Sequence, residues 1–155
     1  MRILFLGDVV GISGCSKLMN NLKDEIKSKK INFVIVNGEN AAAQGVGLTK
    51  DICFDFFNCG VDVITTGNHV WDQKEIMEHI DKEERLLRPK NFFEPAPGKG
   101  FNIYNTKENI KIGVLNLMGN VFMKKCDDVF EISDKFMKQF KLKKDYDFLV
   151  VDFHG

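Results

Sequence analysis

The chain has 155 residues, of which 44% are hydrophobic and 28% charged, a composition typical of one globular domain. No apolar run approaches the roughly 20 residues that a membrane span needs, and the amino terminus is apolar too briefly for a signal peptide. Basic and acidic residues balance at 22 each, so no overall positive field favours a nucleic-acid polymer, whereas a small phosphorylated substrate is compatible. The four cysteines form no C-x-x-C pair, which favours reduced thiols and a cytoplasmic location over a disulfide framework.

The first half of the chain repeats a short apolar run, a glycine-containing loop and an amphipathic stretch, which predicts alternating strands and helices. The predicted strands cover residues 2–7, 32–37 and 61–66, and the predicted helices cover residues 15–29, 49–58 and 72–80. The second strand is continuously apolar, as expected for a parallel strand that is covered on both faces. Asp72 and Glu75 form a potential capping box that would start the third helix.

The second half begins with three prolines and two glycines between residues 88 and 100, which predict an extended connection. Residues 101–105 and 110–117, separated by a polar turn, predict an antiparallel hairpin. A helix over residues 127–140 and a strand over residues 146–153 follow. We therefore expect a single α/β domain over residues 1–155, with a mostly parallel sheet and helices on its faces.

Four predicted strands end in polar side chains that could hold a metal ion, and this coincidence is the main functional signal. The four groups are Gly7-Asp8, Gly38-Glu39-Asn40, Gly67-Asn68-His69 and Asp152-Phe153-His154. In open α/β sheets the ligand crevice lies at the carboxyl ends of the strands, so residues distant in sequence meet there. A mixture of carboxylates, amide oxygens and imidazoles suits Mn, Fe or Zn better than it suits a thiolate zinc site.

Such a site could hold two divalent ions. Ions about 3.5–4 Å apart grip both the attacking and the leaving oxygen of a phosphoryl group. We expect Glu39 to bridge the ions, because its loop lies between the strand that ends at Asp8 and the one that ends at Asn68. Asp8 would bind one ion, and Asn68 and His154 would bind the other.

Taken singly, each candidate also has a structural explanation. Asp8 could cap the segment that follows it, Asn68 could stabilise a turn, and the loop of Glu39 could be merely solvated. His69 could pack beside Trp71. It is the agreement of four strand ends that favours a metal site. His79 lacks this context and is predicted to be a surface helix residue, whereas Asp152 could orient a neighbouring ligand and is left out of the metal set.

The same segments carry a family resemblance. G-D-V-V-G at residues 7–11, N-G-E-N at 37–40, G-N-H-x-W-D at 67–72 and V-D-F-H at 151–154 resemble the YmdB-like family of bacterial metallophosphoesterases. The match runs from Met1 to His154 and includes Arg88-Pro89 and Asn91-Phe92. The resemblance implies a layered, calcineurin-like metallophosphoesterase fold and hydrolysis of phosphodiesters, notably 2′,3′- or 3′,5′-cyclic nucleotides.

The resemblance also implies roles for individual residues. Two divalent metal ions would be bound by Asp8, Glu39, Asn68 and His154, with Asn40 also at the site. Fe or Mn are the preferred metals, and Zn or Mg are the alternatives. His69 would face the scissile phosphate, where it could steady the transition-state charge or protonate the leaving oxygen.

The end of the sequence departs from the family pattern. Family members continue beyond V-D-F-H to a strand with a G-T-H-T-H pattern that completes the metal pair, whereas this chain ends at Gly155. We therefore expect the chain to hold the amino-terminal portion of the fold, to bind its second ion poorly and to have little or no activity. An open sheet edge would favour self-association into a homo-oligomer.

Two rival interpretations differ in class. One is a nucleotide-binding doubly wound domain, which the spacing of Gly7, Gly11 and Gly14 does not support because it is not G-x-G-x-x-G. The other is a catalytically incomplete fragment or a non-enzymatic binding module that retains the family scaffold.

Overall fold

The computed structural model describes residues 1–93, 95–123 and 125–155. Within these ranges, ten helices and strands follow one another. The strands are Ile3–Leu6 (β1), Phe33–Asn37 (β2), Val63–Thr65 (β3), Phe101–Asn105 (β4), Lys111–Met118 (β5) and Phe148–His154 (β6). The helices are Gly11–Lys29 (α1), Lys50–Cys59 (α2), Glu75–His79 (α3) and Val129–Gln139 (α4).

The strands of the described residues divide between two three-stranded sheets. The first sheet has the order β1-β2-β3 and is parallel throughout. The second has the order β4-β5-β6, in which β4 is antiparallel to β5 and β5 is parallel to β6. The α/β class, the mostly parallel pairing and the hairpin are confirmed. The sequence patterns did not indicate the division into two sheets, because strand pairing is a long-range property.

The two sheets face each other across an apolar layer, and the helices cover their outer faces. Phe33 and Ile35 of β2 pack in one core cluster with Ile112 and Val114 of β5. The alternate residues of β2, Val34 and Val36, belong to a second cluster with side chains of α1 and α2. All five residues of β2 are therefore buried, which explains its continuous apolar run. A third cluster places α4 against the outer face of β5.

The predicted helix boundaries differ from the structure at two places. Helix α1 begins at Gly11 rather than at residue 15, and its N-cap residue, Val10, makes no side-chain capping bond, so the sequence carries no start signal there. The capping box at Asp72 and Glu75 is wrong. Helix α3 begins only at Glu75, and the Glu75 carboxylate instead accepts a hydrogen bond from the backbone N–H of Lys50 at 2.7 Å.

The connection over residues 88–100 is ordered by buried side chains. The guanidinium of Arg88, only 3% exposed, donates to the carbonyl oxygens of Pro89, Ala96 and Pro97. Asn91, which is fully buried, donates to the carbonyl of Met118 and accepts from its N–H. The connection is thereby attached to the carboxyl end of β5.

Other sequence expectations can be compared with the described residues. All four cysteines are free, and burial raises the pKa of the Cys53 thiol to about 12, as expected for inert reduced thiols. No helix in the described ranges is long and apolar enough to cross a membrane. Strand β6 ends the second sheet and exposes Phe148, Val151 and Phe153. Self-association through this edge stays a prediction.

Candidate metal centre

The carboxyl ends of β1, β2, β3 and β6 bring the predicted ligands to one edge of the molecule. The first three strands are parallel neighbours, so the segments that follow them leave the sheet on the same side. Those segments carry Asp8, Glu39 and Asn68. His154 is the last residue of β6 in the other sheet, so the candidate site lies where the two sheets meet.

Glu39, His154 and Asn68 form a contiguous chain of side chains. The imidazole Nε2 of His154 lies 2.8 Å from Asn68 Oδ1, and its Nδ1 lies 2.9 Å from Glu39 Oε1. The second of these distances suits an ion pair, but the contact is not aligned as a hydrogen bond, so Glu39 Oε1 has no hydrogen-bond partner in the described residues. Glu39 is completely buried, and its other oxygen accepts from the backbone N–H of His69 at 3.2 Å.

Asp8 and Asn40 form a second pair beside this chain. The amide Nδ2 of Asn40 donates to Asp8 Oδ1 at 2.7 Å. The Oδ1 atom of Asn40 is buried and has no hydrogen-bond partner among the described residues. Asp8 has a φ of 42°, in the left-handed region that non-glycine residues rarely adopt. Asp8 follows β1 by two residues and is exposed.

Gly67 allows Glu39 and His154 to meet. A Cβ atom at this position would lie 2.5 Å from His154 Cδ2 and 2.6 Å from Cγ, and closer still to Glu39 Oε2. Both side chains therefore rest directly on the backbone between Thr66 and Asn68. A glycine is required here because of this close approach and not because of an unusual φ.

The Asp72 carboxylate, which the sequence pattern predicts to be a helix cap, instead contacts His69. The imidazole Nδ1 of His69 lies 2.6 Å from Asp72 Oδ2, within a turn in which the N–H of Asp72 donates to the His69 carbonyl. Because Asp72 engages Nδ1, the ring orientation is fixed and Nε2 is the nitrogen left for a substrate. The sequence signal was the H-x-x-D spacing, which a tight turn brings together. Trp71 packs against Phe92 at 6.1 Å between ring centroids, not against His69.

The electrostatic surroundings of the site are negative. The Glu39 carboxylate beside the ring raises the pKa of the His154 imidazole; burial opposes the rise, and the charges of Asp152 and Asp8 add to it. The buried Glu39 carboxylate has the His154 imidazole as its direct neighbour, 2.9 Å away.

The donor set fits divalent metal ions in chemistry, although it is small. Carboxylate, amide and imidazole donors suit Mn or Fe, and neither Glu39 Oε1 nor Asn40 Oδ1 accepts a hydrogen bond in the described residues. In the described parts of the chain no three side chains of the His, Cys, Asp and Glu types converge closely enough to form a metal site alone. The amide oxygens of Asn40 and Asn68 are therefore essential members of any such site.

Two other features lie outside the cluster of Glu39, Asn68 and His154. His79 is half-buried on α3 against Phe54, with 5.7 Å between ring centroids, and burial lowers its pKa. A groove of about 610 Å³ runs between β1 and α1 and reaches Asp8, but Glu39, Asn68 and His154 do not line it. Glu39, Asn68 and His154 contact one another outside this groove, so these contacts and not the groove volume define the candidate site.

The chain is similar to known proteins over its whole length. A Bacillus subtilis protein named 2′,3′-cyclic-nucleotide 2′-phosphodiesterase is 43% identical over 156 residues, which cover 100% of this chain and 57% of that protein. The solved structure of a hypothetical protein from Thermus thermophilus matches with a TM-score of 0.88 and 34% identity, over 99% of this chain and 57% of the other. The solved structure of a novel phosphatase from Mycoplasma pneumoniae matches with a TM-score of 0.87 and 30% identity, over 99% of this chain and 55% of the other.

These similarities confirm the layered α/β fold that the sequence motifs implied. The chain spans a little more than half the length of the relatives that it matches. A family model described as YmdB-like protein matches residues 4–155, nearly the whole chain. The chain belongs to the YmdB-like protein family.

Proposed function

We propose that this chain carries the metal-binding half of a phosphodiesterase site that uses two divalent metal ions, with Fe or Mn as the preferred metals. The single observation that carries the proposal is the contact of His154 with both Glu39 and Asn68, which joins the ends of three strands from two sheets. The name of the Bacillus subtilis relative supports phosphodiester hydrolysis as the reaction.

The ligands would divide between the ions according to their contacts. Asp8 and Asn40 are paired and would serve one ion, whereas Asn68 and His154 are paired and would serve the other. Glu39 adjoins Asn40 in sequence and His154 in space, so it is the natural bridge. When bound, two such ions would neutralise charge on the phosphoryl group and lower the pKa of an attacking water.

His69 would act on the leaving oxygen. Its backbone N–H is attached to Glu39 and its Nδ1 to Asp72, so the ring is held beside the proposed bridging carboxylate. A protonated Nε2 could give its proton to the leaving oxygen of the phosphodiester, and the Asp72 carboxylate would stabilise the imidazolium before that transfer. Asp72 is thus a positioning residue for His69.

A cyclic nucleotide is the proposed substrate, because that is the substrate class in the name of the Bacillus subtilis relative. A non-catalytic binding module is the second candidate. It is favoured by the small number of charged ligands, since no three His, Cys, Asp or Glu side chains in the described ranges are grouped so that they could hold a metal ion. Metal binding without hydrolysis would support that candidate.

The test uses His69→Ala and the matched control His79→Ala, which removes an imidazole outside the site. Mn²⁺ binding and hydrolysis of bis-p-nitrophenyl phosphate and 2′,3′-cyclic AMP are measured at high protein concentration. In the complete enzyme, we expect His69→Ala to cut turnover by about 10²–10⁴-fold with metal content preserved, and His79→Ala to leave both unchanged. Loss of metal in His69→Ala would make His69 a ligand, and unchanged turnover would remove it from the mechanism.

A further inference from the structure

A layer of buried polar side chains lies directly beneath the candidate metal ligands. Asn37 on β2 is 5% exposed, Asn116 on β5 is 0% exposed and Asp152 on β6 is 8% exposed. Asn37 and Asn116 lie in strands whose other buried residues are apolar, and Asp152 shares its face of β6 with His154. Burial of a polar group costs free energy unless it is hydrogen-bonded, so the contacts of these three side chains show what they stabilise.

Asn37 and Asp152 connect the two sheets. The amide Nδ2 of Asn37 donates to Asp152 Oδ2 at 3.1 Å. The Oδ1 atom of Asn37 accepts from the backbone N–H of Glu39 at 3.3 Å. One side chain therefore attaches the backbone of Glu39 to the strand that carries His154.

Asn116 makes the second connection between the sheets. Its Oδ1 atom accepts from the backbone N–H of Thr66 at 2.9 Å, just after β3. Its Nδ2 atom donates to the backbone carbonyl of Asp152 at 3.4 Å. Strand β6 is thus attached also to the segment that leads to Asn68.

Each attachment point lies two residues before a candidate ligand. Asn37 precedes Glu39 by two residues, Thr66 precedes Asn68 by two, and Asp152 precedes His154 by two. We propose that Asn37, Asn116 and Asp152 are positioning residues that fix the mutual distances of Glu39, Asn68 and His154 across the junction of the two sheets. The inference rests on the proposed function for the identity of the ligand, a divalent cation.

The alternative is that Asp152 contributes only its negative charge, which also acts on His154. Variants of nearly equal shape separate the two explanations. In Asp152→Asn the side-chain oxygen can still accept from Asn37, although the charge is gone. In Asn37→Asp two carboxylates face each other, and the double variant Asn37→Asp/Asp152→Asn restores both the hydrogen bond, in the reverse direction, and the total charge.

The affinity for Mn²⁺ alone is measured by electron paramagnetic resonance. We expect Asp152→Ala and Asn37→Asp each to lose about 10–100-fold in affinity, and Asp152→Asn and the double variant to stay within about threefold of the unmodified chain. Tyr104→Phe is the control, because it removes the hydrogen bond from the Tyr104 hydroxyl to the Glu84 carbonyl far from the ligands. It should not change the affinity.

A second readout needs no metal. The chain has three histidines, so ¹⁵N-edited spectra resolve the ring nitrogens of His154 in the metal-free protein. If the contacts of His154 with Glu39 and Asn68 are fixed, its ring nitrogens should have the same ¹⁵N chemical shifts in the unmodified chain, in Asp152→Asn and in the double variant. In Asn37→Asp these chemical shifts should change or average.

The outcomes distinguish this inference from the proposed function. Absence of Mn²⁺ binding in the unmodified chain would refute the metal site, while the His154 spectra would still test the positioning role. Equal loss in Asp152→Asn and Asp152→Ala would assign the effect to charge and overturn the inference. Unchanged affinity and unchanged His154 shifts in Asn37→Asp would overturn it as well.

Discussion

A side chain added at Gly67 should displace two of the proposed metal ligands, Glu39 and His154. In Gly67→Ala the new Cβ atom would lie 2.5 Å from His154 Cδ2, where ordinary contacts begin at 3.4 Å, so the imidazole has to move by about 1 Å. The Glu39 carboxylate must move as well. Metal sites tolerate ligand displacements of only about 0.2 Å, so we expect the Mn²⁺ affinity to fall about 100-fold. Overpacking of about 1–3 kcal/mol should also lower the melting temperature by roughly 3–10 °C.

The matched control is Gly119→Ala, at the carboxyl end of β5. Its nearest contact would be Phe153 Cζ at 3.6 Å, which is ordinary van der Waals contact, and its φ is not in the left-handed region. Calorimetric titration with Mn²⁺ and thermal unfolding are measured for both variants. If Gly67→Ala binds Mn²⁺ as tightly as Gly119→Ala does, Glu39 and His154 do not hold the ion in this geometry.

Two further predictions concern orientation and pH. In the complete enzyme, Asp72→Ala should lower turnover about 10–100-fold without changing metal content, because His69 keeps its imidazole and loses its orientation. Turnover equal to that of the unmodified enzyme would exclude a role for the pair of Asp72 and His69. The pKa of Asp62 is raised, chiefly because burial disfavours its charged form. The contribution of Asp62 to the stability of the folded chain is therefore complete below its unfolded-state pKa of about 4. That contribution is lost as the pH rises through the higher folded-state pKa. Asp62→Asn, whose side-chain oxygen can still accept from the N–H of Val34, should therefore raise the melting temperature by roughly 1–3 °C at pH 7 and not at about pH 3, whereas an equal gain at both values would contradict this account.

Local patterns predicted the elements that position the site. The glycine and polar residues after each strand mark the points where the chain leaves the sheet, and Asp8, Glu39 and Asn68 lie at those points. The apolar run of β2 indicated burial on both faces, which the structure confirms. Thr49 begins the second predicted helix, and its hydroxyl accepts from the N–H of Ile52 as a cap.

Long-range contacts were beyond these patterns. Whether strands share one sheet or divide between two depends on pairings such as that of β5 with β6, which no local period encodes. The same limit applies to Asp72, because the local sequence is equally compatible with a helix cap and with a contact to His69. Local patterns do not reveal the roles of Asn37 and Asn116, because an amide in an apolar strand shows its role only when its partner on another strand is known.

The edge where β1, β2, β3 and β6 end is the proposed divalent metal site. Calorimetric titration of the metal-free chain with Mn²⁺ tests this proposal, with His154→Ala as the variant and His79→Ala as the control. We expect binding of at least one ion by the unmodified chain and by His79→Ala, and a loss of about 10-fold or more in affinity in His154→Ala. Absence of binding in the unmodified chain, or equal affinity in His154→Ala, would contradict it.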